Sequence, residues 1–99
     1  MRRGTTPTHT FDTDISLVEA TEIYVTYKQG DKRLDKTKDD LDVTETSVSL
    51  ELSQEETLMF SEDKCKTQVQ IRAKFADGTA VASNISQVTV SPILKEGVI

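Results

Sequence analysis

The 99 residues of this chain are enough for one domain of ordinary size and too few for two. Their formal net charge of −5 disfavours a general binder of nucleic-acid phosphates, and the absence of Trp leaves a core built mainly from Val, Ile and Leu. Cys65 is the single cysteine, which excludes an internal disulfide, and no apolar stretch is long enough to span a bilayer.

The first ten residues, MRRGTTPTHT, are rich in Thr and contain a proline. The residue before Pro7 is restricted to extended geometry, so the segment is not the first turn of a helix. We interpret residues 1–10 as a flexible N-terminal arm. We expect residues 2–10 to become ordered only on assembly, and a chain without residues 1–10 to remain folded.

Alternation with a period of two then runs through much of the chain and predicts β-strands. The turn KQGDK at 28–32 predicts a hairpin, whose return strand KRLDKTK is charged as edge strands often are. The alternating segments of the first half are 11–17, 23–27, the return strand, 41–43 and 48–52.

The sequence SQEE at 53–56 has the form of a capping box and predicts one helical turn near 53–60. The strongest hairpin follows, with a strand at 68–75 and the Asp-Gly turn ADGT at 76–79. Its partner strand extends to residue 90, but the alternation slips, which predicts a β-bulge near Ser83 and Asn84. Pro92 ends the strand because it has no N–H to donate.

About seven short strands with no βαβ pattern predict an all-β, antiparallel Ig-like β-sandwich, with a small barrel as the alternative. We place the sandwich domain at residues 11–91. The remaining residues, 92–99, form an apolar C-terminal tail without strand alternation.

No group of residues indicates catalysis, a cofactor or a metal. His9 is the only histidine and is expected to be a solvated arm residue, while Cys65 is expected to be an ordinary loop or strand-start thiol. The acidic sequence DDLDVTE at 39–45 lacks the glycine of a calcium loop and is interpreted as a solvated turn. The sequence therefore predicts that the protein is not an enzyme.

The two ends remain as candidates for function, since arms and apolar tails can dock on neighbouring subunits. Frayed termini are the alternative interpretation. The candidate assembly contacts are Arg2, Arg3, Thr5, Pro7, Ile93, Leu94, Val98 and Ile99.

Four sequence blocks in fixed order, MRRGTTPTHTF, LSQEETLMF, IRAKFADGTAVASNI and ILKEGVI, resemble a group of small proteins. These are encoded in tailed-phage and prophage structural regions of Gram-positive gut bacteria. Their shape is similar to the Ig-like N-terminal domain of phage baseplate upper proteins. Because those proteins carry long C-terminal extensions, the resemblance favours a small adaptor or decoration subunit over a receptor-binding fibre.

The resemblance implies a virion-associated structural protein of the tail, baseplate or a fibre adaptor, without catalytic residues. Its implied partners are other phage structural proteins, with a homo-oligomer possible and neither nucleic acid nor membrane expected. Its implied location is the host cytoplasm during assembly and then the virion. Two alternatives remain open: a module that binds carbohydrate or a host surface, and a prophage regulatory protein.

Overall fold

The computed structural model describes the backbone of residues 1–99 and the side chains of residues 1–62 and 67–99. Eight strands, one short α-helix and a 3₁₀ turn at Lys38–Asp40 make up the fold. In chain order the elements are β1 (Thr8–Asp12), β2 (Glu22–Gln29), β3 (Lys32–Thr37), β4 (Asp42–Val43), β5 (Ser47–Glu51), α1 (Gln54–Leu58), β6 (Asp63–Lys74), β7 (Ala80–Ala82) and β8 (Ser86–Val90).

The strands form two antiparallel sheets. One has the order β1-β5-β4, and the other has the order β3-β2-β6, with β7 and β8 both paired along the far side of β6. In immunoglobulin sandwiches, strands A, B, E and D form one sheet, and the variable type adds strand C′ to the sheet of C, F and G. Here β1, β5 and β4 take the positions of strands B, E and D, and β3, β2 and β6 take those of C′, C and F. Strands β7 and β8 together take the position of strand G. Within residues 1–99, the position of strand A beside β1 has no occupant.

The core lies between the sheets, as the alternating sequence predicts. In β2 the side chains of Ile23, Val25 and Tyr27 are buried while their neighbours face outward. The same alternation buries Val48 and Leu50 in β5. The Ig-like sandwich predicted from the sequence is confirmed.

Helix α1 joins the two sheets and begins with the predicted capping box. The Ser53 hydroxyl accepts from the Glu56 N–H at 3.1 Å, and the Glu56 carboxylate accepts from the Ser53 N–H at 2.9 Å. The chain after the helix inserts Phe60, whose side chain is fully buried at this end of the core.

Strand β1 differs from the prediction at both of its ends. It includes residues 8–10, which we had assigned to the flexible arm, and it ends at Asp12 rather than continuing to residue 17. The path of its partner strand explains why β1 ends at Asp12. The Thr13 N–H donates to the Thr46 carbonyl, and the chain before β5 then reverses direction in a turn closed by the hydrogen bond from the Thr44 N–H to the Ser47 carbonyl. No partner strand is left for residues 14–17.

The predicted bulge lies between β7 and β8. Arg72 pairs with Ala82 while Val69 pairs with Ser86, so three steps along β6 correspond to four steps on the partner side. The Ser83 N–H donates to the Ile71 carbonyl at 2.8 Å, and the Ser83 hydroxyl accepts from the Ile71 N–H at 3.0 Å. The hydroxyl thus replaces a carbonyl of the ladder, and the bulge prediction is confirmed.

Candidate functional site

The two chain ends lie together against the sandwich. We call residues 1–7 and 91–99 the terminal surface. The Ser91 N–H donates to the Met1 carbonyl at 2.7 Å, and the Arg3 N–H donates to the Ser91 carbonyl at 3.1 Å. Arg2 and Ser91 thereby form a parallel bridge beyond the end of β8. The structure therefore brings the predicted contacts of both ends onto one surface, and the first residues are hydrogen-bonded to the domain.

Arg3 is the centre of this surface, and its side chain is only 18% exposed. Its guanidinium donates to the Phe60 carbonyl at 2.6 Å and to the Leu58 carbonyl at 3.3 Å. These carbonyls lie where α1 ends, a position that favours a cation. The same guanidinium donates to both carboxylate oxygens of Glu96, at 2.8 and 3.0 Å. Arg3 therefore fastens the helix end and the C-terminal tail to the N-terminus.

The other N-terminal candidates differ in how firmly they are held. Arg2 is exposed and donates to the Pro92 carbonyl at 2.6 Å. The Thr5 hydroxyl donates to the Arg2 carbonyl, while the Thr5 carbonyl accepts from Thr57 at 3.0 Å. The Pro7 carbonyl accepts from the Leu52 N–H at 3.0 Å and so continues the ladder between β1 and β5. Arg2 is thus the N-terminal cation with the freer side chain.

Gly4 allows the ends to approach each other. Its φ of 71° is in the left-handed region, and a Cβ atom built there would lie 2.8 Å from Cδ1 of Ile93. Ile93 is half-buried and packs where that side chain would be. The sequence predicts Ile93 as an assembly contact in the apolar tail, whereas its packing against Gly4 holds the start of the tail in place.

The rest of the tail presents apolar side chains to solvent. Leu94 is fully exposed, Val98 is 53% exposed and Ile99 is 89% exposed. The backbone of Ile99 is held by the Gln54 side chain, which accepts from its N–H at 2.9 Å. Arg2 lies beside the start of this tail, where it donates to the Pro92 carbonyl.

His9 is not the solvated arm residue that the sequence suggested. It lies in β1, half-buried, and its Nδ1 atom is 2.6 Å from the hydroxyl oxygen of the fully buried Tyr27 in β2. Burial, and then the positive N-terminus, lower the pKa of His9. Burial, and then the charge of Glu56, raise the pKa of Tyr27. The two side chains are neutral and link the two sheets. Extending the alternation of β1 back to residue 8 would have placed His9 on the inner face of the sheet.

A second polar link joins β3 to α1. Lys36 of β3 donates to the Glu56 carboxylate of α1 at 2.7 Å, with side chains only 13% and 22% exposed. Burial favours a higher pKa for Glu56, but the hydrogen bonds from Lys36 and Ser53 and the charge of Lys36 outweigh it, and the pKa is lowered. The sequence identified Glu56 only as a capping residue.

An open groove of about 400 Å³ lies between β1 and the strands β7 and β8. Phe11, Leu17, Val69, Ile71 and Val81 supply its apolar lining. Asp12 and Asp14 are the charged residues at its rim. The groove runs along the side of the sandwich where strand A of an immunoglobulin domain would pack.

Four further points concern metal binding, Cys65, the acidic segment and membrane helices. Among the described side chains, no group of three or more His, Cys, Asp and Glu residues could hold a metal ion. The side chain of Cys65 lies outside the described residues. The Asp40 carboxylate of the acidic segment accepts from the Thr37 N–H at 3.1 Å and caps the 3₁₀ turn. Within the described part of the chain, no helix is both long and apolar enough to cross a membrane.

Searches of protein families, curated proteins and solved structures gave no match to the chain. The class that the strand order defines is an immunoglobulin-like β-sandwich with β1 at the edge of its sheet.

Proposed function

We propose that this chain is a non-enzymatic structural subunit of a phage or prophage virion, acting in the tail, the baseplate or a fibre adaptor through protein–protein contact. The observation that carries the proposal is the terminal surface. Leu94, Val98 and Ile99 expose apolar side chains on a tail that is fastened to the domain. Exposed apolar side chains on a held segment can supply the contact with another protein.

Preorganisation supports this function. Arg3 and Ile93 hold the beginning of the tail, and Gln54 holds its end, so the backbone that carries the exposed side chains is fixed at both ends. A partner that binds them orders few further residues, and the entropy cost of association is correspondingly smaller. The exposed Arg2 adds a guanidinium, a planar cation with several N–H donors, to the same surface.

The first test is mass spectrometry of purified particles from an induced culture that encodes the chain. A structural subunit is expected at a stoichiometric copy number relative to other particle proteins. Absence from washed particles would contradict the proposed function. Neighbouring genes offer an independent check, because tail or capsid genes favour a structural role and repressor or lysis genes favour a regulatory one.

Substitutions then locate the contact. The double variant Leu94→Asp, Val98→Asp charges the exposed tail without removing a buried side chain, and we expect it to fold but to enter particles poorly. Tyr24→Ser is the matched control, since Tyr24 is 42% exposed on β2 and is not part of the terminal surface. Equal incorporation of the double variant and the control would show that the tail is not the contact.

Deletion of residues 1–10 is a poor test, contrary to the expectation from the sequence. It would remove three of the five residues of β1 together with the Met1 and Arg3 hydrogen bonds to Ser91. Loss of incorporation could then follow from loss of the fold.

Carbohydrate binding is a second candidate that one observation favours. Tyr24 lines a shallow depression of about 200 Å³ together with Glu22, Lys38 and Asp39, which combines an aromatic ring with charged side chains. Glycan-array binding that Tyr24→Ser abolishes would support this function, and the tail variant serves as its control.

A further inference from the structure

Four strand edges bound the two sheets, and three of them are protected. Strands β4 and β7 are only two and three residues long, β3 carries the exposed Lys32 and Arg33, and the end of β8 is covered by residues 1–3. Short edges, lysines and covering segments are the means by which proteins prevent pairing with other chains.

Strand β1 has none of these protections. Its sequence, THTFD, contains no lysine, proline or bulge, and its Thr and Phe residues favour strands. The Pro7 carbonyl and the Thr13 N–H bond to the β5 side, so the odd-numbered residues of β1 face β5. The backbone groups of Thr8, Thr10 and Asp12 therefore point outward, and the described residues provide no partner for them.

Exposed apolar side chains lie beside this edge. Ile15 is 49% exposed at the rim of the groove. Ile85 is 57% exposed between Asn84 and Ser86, which line the opposite rim. An unpaired edge and an apolar rim on one side of the molecule are what a strand-pairing interface requires.

We propose that β1 pairs antiparallel with β1 of a second copy about a two-fold axis at Thr10, forming a continuous six-stranded sheet. The proposal rests on the proposed assembly function and specifies the homotypic contact. In this register Thr10 faces Thr10 of the other copy, and Thr8 faces its Asp12. Opposed threonines are a favourable cross-strand pair, and within this chain Thr26 of β2 donates to the carboxylate of Asp35, which lies opposite it in β3, at 2.6 Å.

The inner face of this pairing also complements itself. His9 of each copy lies opposite Phe11 of the other, which covers the partly exposed Phe11 ring. Each groove is lined by residues 11–15 and so continues along the paired edge, which brings Ile15 beside the residues that precede β1 in the other copy and covers apolar surface beyond the ladder. This contribution is necessary, because stable interfaces bury about 1,200 Å² or more and a five-residue ladder supplies only part of it. The contact is isologous and closes as a dimer.

The C-terminal tail of a second copy is a poorer occupant. In an extended tail, Glu96 would lie on the same face as Leu94 and Val98, because alternate residues share a face. Binding would bring this carboxylate to a groove whose charged rim residues are Asp12 and Asp14. Glu96 would also give up its bonds to Arg3.

The test uses the full chain and analytical ultracentrifugation over a range of concentrations up to about 1 mM. The wild type is expected to form a dimer. Thr10→Lys and Thr10→Glu place like charges opposite each other at the axis and should each weaken the dimer by about tenfold or more. Mixing the two variants should restore association, because the lysine of one then faces the glutamate of the other.

Thr8→Lys is the matched control. It adds the same charge to the same edge, but in the proposed register it faces Asp12 of the other copy and should maintain or strengthen the dimer. Circular dichroism and urea unfolding confirm that each variant is folded.

A wild type that remains monomeric overturns the proposal and leaves the edge to a strand of a different protein. Failure of the mixture to associate, or equal weakening by Thr8→Lys and Thr10→Lys, overturns the register and with it the proposal. Neither result depends on whether the chain is present in particles, so the dimer and the proposed function can fail separately.

Discussion

Nδ1 of His9 lies 2.6 Å from the hydroxyl oxygen of Tyr27, and this hydrogen bond crosses the core from one sheet to the other. The His9 ring also lies edge-on to Phe11, with ring centroids 6.3 Å apart. The imidazole is thus held between apolar and aromatic groups in which a positive charge is poorly solvated.

The first prediction concerns acid sensitivity. Burial lowers the pKa of His9 below its unfolded value of 6.5, so the unfolded chain binds a proton more readily than the folded one. The contribution of His9 to stability is fully present above pH 6.5 and is lost as the pH falls through its lower folded pKa. Urea unfolding should therefore show lower stability at pH 5 than at pH 7. In His9→Gln this difference should shrink, and an unchanged difference would show that other groups cause it.

The second prediction compares two ion pairs. Lys36→Met removes the partner of a carboxylate that is only 22% exposed and should lower the free energy of unfolding by about 2 kcal/mol. Arg33→Met breaks the Arg33–Asp35 pair at the surface, with side chains 66% and 36% exposed, and should cost less than about 1 kcal/mol. Urea unfolding at pH 7 measures both. Equal losses would mean that the Lys36–Glu56 pair gains nothing from burial.

Acid should weaken the Lys36–Glu56 pair further. The pKa of Glu56 is lowered from 4.5, so its contribution is present above that value and is lost as the pH falls through the lower folded pKa. This loss begins at a lower pH than the loss due to His9, because the unfolded pKa values are 4.5 for Glu56 and 6.5 for His9. Comparison of Glu56→Gln with the wild type below pH 4.5 separates the two groups.

Much of the fold was predictable because local rules agreed with tertiary packing. Ile23, Val25 and Tyr27 alternate in the sequence and are buried in β2, and Ser53 with Glu56 forms the capping box that their spacing indicates. Strand order is also constrained by short hairpins, since β2 and β3 are joined across a two-residue turn containing Gly30.

The prediction was wrong where the outcome depended on distant partners. The end of β1 is decided by the turn that precedes β5, more than thirty residues later, and nothing within residues 11–17 reveals it. Likewise, the Thr-rich opening reads locally as a free arm, but its order comes from Ser91 and Glu96 at the other end of the chain. His9 was misassigned for the same reason.

The third prediction separates the two N-terminal arginines. Arg3 makes charged hydrogen bonds to Phe60, Leu58 and Glu96 from a largely buried position, so Arg3→Ala should lower the free energy of unfolding by about 2–3 kcal/mol. Arg2→Ala is its matched control, because Arg2 is exposed, and should cost about 0.5 kcal/mol or less. If both variants unfold at the same urea concentration, Arg3 does not fasten the terminal surface.

The fourth prediction tests the close approach of the two ends. Gly4→Ala forces a side chain into left-handed backbone geometry and displaces Ile93, so it should cost about 2 kcal/mol, whereas Gly30→Ala has similar strain and open space and should cost about 1 kcal/mol. Combining Gly4→Ala with Ile93→Ala relieves the contact but not the backbone strain. The double variant should therefore lose less stability than the two single variants added together. Simple additivity in urea unfolding would mean that Gly4 and Ile93 do not touch in solution.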